Sequence, residues 1–524
     1  MIKKLMKKNI CLLLVLVFAS FMMFSCTNNT QVNTYTKNST NEEGVLDNVY
    51  DVVESKVSAD YENAERVGDF LFKEENEAGD IKSIVVLADK NIGIKTFTYN
   101  ALDLDQGYDD VAALTVDFDK DTFPNSADDL VRDDGENIVI KSGGIYLLKG
   151  TLNNKRIVIE KGVGERVQLV LNGLKINSNK DEAIFINKDC LAHIHLAKGS
   201  ENEITAIPAN ANNGKNKKSI IVAENNLVLN GSGKLIVNSE YEGSIASDEN
   251  ITFISGQYVL NTKGDGIKAK KEIIFKDANI DLNTGDDGIV STNNNSGMIY
   301  IENANIKIKS NDKGVSSDNE ILIVGGNVDI DSKNESIGGK IVNLLGGKIN
   351  LKSGDDGINA NDANQNKKAN QKDVYIRIMG GEINIDAVMD GIDSNGDLYL
   401  EGGKTYISAS ENDNERIIDY NGAVTCHIGT ELIGVGPSVR MQDLGKTPKQ
   451  SYIIVYYKEK MSADNNIELK DEGNNTILSF KPNKTYKAAI ITSANLEVGN
   501  NYKIVSGEKE LSIKLVEGKN EITE

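Results

Sequence analysis

The residues best placed to do chemistry in this chain are carboxylates that recur in one short phrase. It reads Gly264-Asp265-Gly266-Ile267, Asp286-Asp287-Gly288-Ile289, Asp355-Asp356-Gly357-Ile358 and Met389-Asp390-Gly391-Ile392, with Asp312-Lys313-Gly314-Val315 and Asn334-Glu335-Ser336-Ile337 as altered copies. If successive phrases stack at the strand spacing of about 4.8 Å, two facing carboxylates repel by roughly 3.5 kcal/mol at an effective dielectric near 20. A bound cation relieves that cost. Ca2+ takes six to eight oxygens at about 2.3–2.6 Å, so Asp265 with Asp286 and Asp287, and Asp390 with Asp355 and Asp356, are the expected calcium sites. The competing possibility is that Asp-Gly is turn chemistry alone, with carboxylates facing water where salt screens them. A further run, Asp393-Ser394-Asn395-Gly396-Asp397, sets oxygen donors at alternate positions as in the first half of many calcium loops, without the distant bidentate Glu. Lys313, between Asp287 and Glu335 in the column, is expected to neutralise them in place of a metal.

The phrases must be positioned by a repeat. Their third-from-last residues fall at 265, 287, 313, 335, 356 and 390, spaced 22, 26, 22, 21 and 34 apart, a period of about 22 with insertions. Ahead of each phrase run two apolar pairs at strand spacing. The first is Ile251/Phe253, Ile273/Phe275, Ile299/Ile301, Ile321/Ile323, Val342/Leu344 and Ile376/Ile378. The second is Tyr258/Leu260, Ile280/Leu282, Ile306/Ile308, Val328/Ile330, Ile349/Leu351 and Ile383/Ile385. Gly325-Gly326, Gly346-Gly347 and Gly380-Gly381 mark turns between the pairs. Two short strands and a third at the phrase cannot bury a core alone, but stacked coils bury a continuous one. The expected fold is all-β, a right-handed parallel β-helix of about 22-residue coils, right-handed by the crossover rule. A leucine-rich repeat needs a Leu/Asn frame that is absent, and a propeller blade is about twice as long.

Around this repeat the chain divides into five parts. Residues 1–25 read as a secretion signal, with Lys3, Lys4, Lys7 and Lys8 before an apolar run that ends at Ser25-Cys26. They resemble a bacterial lipoprotein signal, which implies lipidation of Cys26. Residues 26–44 are an Asn/Thr/Ser-rich tether. Residues 45–112 form a small mixed segment, helical in spacing at Val45, Val49, Val52 and Val53 and strand-like at 81–87 and 92–99, suited to capping an open solenoid end. The β-helix is expected over 113–434, with polar rim loops at 210–218 and 361–372. A C-terminal β cap or small sandwich follows over 435–524.

Charge narrows the partners. The chain carries 58 basic and 78 acidic residues for a net −20, and loss of the four signal lysines takes it to −24. Nucleic acid and anionic lipid surfaces are unsuited to such a chain, and cations are suited to it. Membrane contact is expected through a lipid anchor only, at the bacterial cell envelope and facing away from the cytoplasm, and the protein is expected to be a monomer. Cys190 and Cys426 lie many coils apart and read as free packed thiols. His193 and His195 share one face of a strand and read as an outward pair rather than a zinc site.

The phrases GDGIKAK, GDDGIVS and GDDGINA, the Gly-Gly turns, Gly150-Thr151-Leu152 and DGIDSNGD at Asp390 to Asp397 resemble the bacterial carbohydrate-binding domain family of parallel β-helices, similar in fold to pectate lyases. The resemblance covers the chain from about Ala113 onward. It implies a calcium-binding, surface-attached protein that holds plant-type or acidic polysaccharide, with Asp265, Asp287, Asp356, Asp390 and Asp393 among the ligands. Lys313 and Glu335 depart from the phrase. With no Trp and 6% aromatics, stacking platforms are few, and Tyr300, Tyr375 and Tyr406 are the solenoid tyrosines expected to meet a sugar. Binding without catalysis is preferred. A polysaccharide lyase is the alternative, disfavoured because acidic neighbours spoil Lys313 as a base. A structural or adhesive surface protein with no sugar ligand is the third possibility.

Overall fold

Three parallel sheets run the length of a solenoid, because each coil gives one strand to each. The structure is a computed structural model that describes residues 64–87, 94–120, 130–160, 165–180, 182–207, 219–240 and 243–524. The signal, Cys26, the tether, the helical spacing at 45–53 and the loop at 210–218 lie outside the described residues. Face one includes Ile251–Phe253, Glu272–Phe275 and Met298–Ile301; face two Gln257–Thr262, Asn279–Thr284 and Asn305–Ser310; face three Ile267–Ala269, Ile289–Ser291 and Ile358–Ala360. Each strand pairs in parallel with its counterpart one coil on. The result is a parallel β-solenoid of about 11 turns with roughly 24 residues per turn. The excess over 22 comes from insertions such as Asn293–Ser296 and the loop at 361–372.

The apolar columns point inward as expected. Tyr258, Ile280, Ile306, Val328, Ile349 and Ile383 pair in direct register down face two. None is more than 3% exposed. Each such side chain contributes about 1.5–3 kcal/mol by leaving water. Outside the barrel, Asn279, Asn305 and Asn327 form an amide ladder, with Nδ2 to Oδ1 distances of 2.9 and 2.7 Å. Between faces one and two the chain turns on glycine: Gly326 has φ 83°, and a Cβ there would lie 2.2 Å from the Ala304 carbonyl of the coil before.

The described strands of the segment before the solenoid cover one of its faces. Glu65–Arg66, Leu71–Glu75, Ile81–Val86 and Ile94–Tyr99 make a four-stranded antiparallel sheet. That sheet lies on the outward side of face one. Phe97 stacks on Tyr300 with ring centroids 3.7 Å apart, Lys73 Nζ meets the buried Glu302 at 2.6 Å, and Tyr99 donates to Glu302 at 3.0 Å. The cause is that face one is apolar outward as well, at Val228, Ile274, Tyr300 and Leu322. A parallel sheet with two apolar sides needs a second layer. His193 and His195 also point away from the barrel but are each 1% exposed: Arg166 and Asn230 of the adjacent coils bond to them, and Tyr108, from the segment after the antiparallel sheet, packs edge-on to His195. Cys190 and Cys426 are both buried, and the Cys190 thiol donates to the Glu160 carbonyl at 3.1 Å.

At the other end, Glu431–Gly436 of face two pairs antiparallel with Tyr486–Thr492, which continues into Tyr452–Met461 and Lys519–Thr523. A separate sheet of Thr476–Phe480, Ile467–Lys470, Asn501–Ser506 and Lys509–Lys514 packs against it around Ile453, Leu469, Ile491 and Ile504. The C-terminal region is thus a sandwich that also closes the barrel.

Candidate metal centre

The Asp-Gly phrase occupies the corner between faces two and three. A hydroxyl ends the strand before each phrase but the last, where Ala387 stands, and tightens the corner: Thr284 Oγ1 donates to the Asp286 carbonyl at 2.9 Å and Ser353 Oγ to that of Asp355 at 3.1 Å. Glycine is required there by stacking, since a Cβ on Gly357 would lie 2.5 Å from the Gly391 carbonyl and 2.3 Å from Ile385. The carboxylates also serve the stack. Asp287 accepts the backbone N–H of Lys313 in the next coil at 2.9 Å, and Asp356 accepts that of Asp390 at 2.9 Å. Asp390 in turn accepts the N–H of Arg416. Turn chemistry and charge clustering are therefore both present, the former acting across coils.

Two groups of three carboxylates converge among the described residues, each with its oxygens within 4.8 Å of one another: Asp286, Asp287 and Asp312, and Asp390, Asp393 and Asp419. Neither is the trio expected from sequence. Asp265 is held by Lys268 at 2.7 Å, and Asp312 takes its place because it follows Asp286 in the column. At the second site, Asp355 and Asp356 flank rather than complete the group. Asp393 and Asp419 are direct partners in face three, both pointing out of the barrel. The alternating run is split by the corner after Ser394. Asp397 opens the next strand of face one, where its carboxylate accepts from Ala423 N at 2.7 Å and Tyr399 Oη at 3.0 Å. Asn395 joins an amide row, accepting from Asn421 at 3.1 Å. Asn395 and Asp397 therefore do not converge with Asp393 as a calcium loop would require.

Crowding of these groups shows in their protonation. Burial, with Asp356 and Asp390 adding repulsion, pushes the Asp393 carboxyl up from 3.8 to about 7. Burial also takes Asp390 to about 7, against the opposing hydrogen bond from Arg416 N. Asp356 and Asp287 rise to about 6, again chiefly through burial, and Asp355 rises for the same reason. Desolvated carboxylates aimed at one another are oxygen donors of the kind Ca2+ takes, so the residues fit that ion. Arg416 pairs with Asp419 on one side, leaving the second group a net negative site.

Two members of the second group, Asp393 and Asp419, line a cleft on face three. Its wall is the loop at 361–372, fixed by Gln371, which is 2% exposed and donates to Asn361 Oδ1 at 3.1 Å. The cleft also collects Lys313, Lys367, Lys368, Arg416 and Arg440, so cationic side chains stand beside the carboxylates. Lys313 Nζ is 3.6 Å from Glu335, whereas Asp287 meets the Lys313 backbone N–H rather than its ammonium. The expected tyrosines are elsewhere. Tyr300 is 0% exposed under Phe97 and is not available to a ligand. Tyr375 is half-buried against Arg377 and Tyr399. Tyr406 stacks on Phe480 of the sandwich at 5.4 Å.

Comparison with known proteins places the chain among relatives. A family model described as a carbohydrate-binding domain-containing protein matches residues 134–338 and 311–523. A protein of that description from Acetivibrio thermocellus is 26% identical over 128 residues, 24% of this chain and 44% of that protein. The match thus spans under half of that relative. A solved structure, a polysaccharide lyase-like protein from C. thermocellum in a gadolinium derivative, covers 60% of this chain and 95% of its own, at 19% identity and a TM-score of 0.29.

Proposed function

Because the chain belongs to the carbohydrate-binding domain-containing family, we propose that it is a polysaccharide-binding protein of the bacterial cell envelope, whose ligand is acidic and is held together with Ca2+ in the face-three cleft. The observation that carries this reading is the convergence of Asp390, Asp393 and Asp419 within 4.8 Å, with Asp393 and Asp419 sharing one cleft with Lys367, Lys368 and Arg440. The carboxylates suit a cation, and the cation and basic side chains together suit a uronate on a chain that is otherwise strongly acidic. Asp390, Asp393 and Asp419 would hold the ion, and when bound it supplies positive charge toward a sugar carboxylate. The residues of this chain orient the sugar: the amide row of Asn361, Asn395 and Asn421 offers donors and acceptors along the cleft. Lys313 is engaged with Glu335, which favours binding over lyase chemistry. The Ser25-Cys26 signal supports a lipid anchor on Cys26.

Native electrophoresis through gels cast with polygalacturonate tests the ligand. Retardation in calcium that EGTA abolishes is expected, and equal mobility with and without the polymer would overturn the proposal. Partition of the expressed chain into detergent, lost in Cys26→Ser, tests the anchor.

A further inference from the structure

The outward surface of face two carries a second groove with different chemistry. Strands Asn305–Ser310, Asn327–Ser332, Lys348–Ser353 and Glu382–Ala387 form its floor, and Phe480 and Asn483 of the sandwich stand over it as a wall. Lys307, Asp329, Asn350 and Asn384 succeed one another in direct register, one per coil. The amides are aligned: Asn384 Nδ2 donates to Asn350 Oδ1 at 2.9 Å, and Asn350 Nδ2 to Asp329 Oδ1 at 2.5 Å. In the neighbouring column Lys352 pairs with Asp331 at 3.1 Å, and Asp386 is paired with Lys484 from the sandwich. Lysines and aspartates balance, unlike the crowded carboxylates of face three. Phe480 has a ring face on Tyr406, at 5.4 Å and 22° between planes, and itself lines the groove.

We propose that this groove is a second glycan site, taking an uncharged polysaccharide strand that lies along the solenoid axis. The inference rests on the polysaccharide-binding function above and adds a separate place and ligand class to it. Polar groups repeated at the coil spacing of about 4.8 Å suit a polymer with repeating hydroxyls better than a compact ligand. Amides both donate and accept, as hydroxyls require. A balanced surface draws no anion by long-range attraction, and neither carboxylate group lines this groove. Phe480 offers a flat apolar face to the C–H side of a sugar ring, and Tyr406 is the positioning residue that holds it.

The test uses native gels cast with hydroxyethylcellulose or with polygalacturonate, run with wild type, Phe480→Ala, Asn384→Ala and Asp393→Asn. Hydroxyethylcellulose is expected to retard wild type and Asp393→Asn equally, with or without EGTA. Phe480→Ala should weaken that binding about tenfold, as loss of a central aromatic anchor does, and Asn384→Ala should weaken it to a smaller degree. Both should bind polygalacturonate as wild type does. Asn384 lies outside the barrel core, so its variant reports even if Phe480→Ala disturbs the sandwich. Wild type that ignores hydroxyethylcellulose but binds polygalacturonate overturns the second site and leaves the first function standing. Wild type that ignores both polymers overturns both. Undiminished neutral-glucan binding by either folded variant also overturns the site.

Discussion

Asp393→Asn separates a charge cluster built for a cation from a set of ordinary turn residues. In the metal-free fold the Asp393 carboxyl is raised from 3.8 to about 7. Since the folded value exceeds the unfolded one, the stability linked to it is fully present below about pH 4 and is lost as pH rises through about 7. The displacement corresponds to about 4 kcal/mol of preference for the neutral acid. Coulomb repulsion gives a similar size, about 3.5 kcal/mol per neighbouring carboxylate at an effective dielectric near 20, for oxygens within 4.8 Å. The strain is shared with Asp390 and Asp356, so the neutral amide should recover about 2–4 kcal/mol at pH 8 without metal and little at pH 4. Calcium reverses the order. Wild type should gain about 2.7 kcal/mol at a hundred times the dissociation constant, and the variant should lose most of that gain. Urea unfolding followed by circular dichroism at pH 4 and 8, in EGTA or calcium, reads all four conditions. A variant that is less stable than wild type at pH 8 in EGTA, yet responds fully to calcium, would refute the reasoning.

Ile349→Asp buries an unpaired charge in the middle of the face-two file and should prevent folding, read as loss of β-sheet circular dichroism; a folded variant would contradict the inward register. Phe97→Ala removes the ring stacked on Tyr300 and should cost about 3–5 kcal/mol of docking. Limited proteolysis should then release the sheet before residue 100 while the solenoid stays resistant, and equal resistance of both parts would argue against a separate layer. With calcium saturating, Asp287→Ala orphans the Lys313 N–H and should cost about 1–3 kcal/mol. Asp265→Ala breaks only the pair with Lys268 and should cost about 0–1 kcal/mol in the same urea midpoints; equal effects would remove the distinction between the two aspartates.

The solenoid was legible because one side of every strand must be apolar, and a period-two pattern at fixed intervals has few other solutions. The files through Ile349 and Ile376 are the direct product of that constraint. What went unseen were contacts between coils and layers. Neither Asp312, which sits in an altered copy of the phrase, nor Asp419 is marked as a ligand by the repeat, because the site is made by neighbours across the stack. Asp419 falls one coil beyond the last phrase, and only its pairing with Asp393 marks it. The spacing from Asp393 to Asp397 mimicked a calcium loop because alternation in sequence stands for one side only while the strand continues, and here the chain bends at Asn395-Gly396. The covering sheet had a signal: Val228, Ile274, Tyr300 and Leu322 are apolar at the outward position of face one, which an uncovered surface would not tolerate. Phe480 had none, since its role depends on a sandwich folding back on Tyr406.

Calorimetric titration of oligogalacturonate into wild type and into Asp390→Asn with Asp393→Asn, each in calcium and in EGTA, tests the central claim most directly. The amides keep the acceptor for Arg416 N while removing both charges from the carboxylate group. Binding by wild type in calcium, lost in EGTA and lost in the double variant under either condition, is the predicted result. Binding that persists in EGTA or in the folded double variant would contradict a calcium-held ligand on face three.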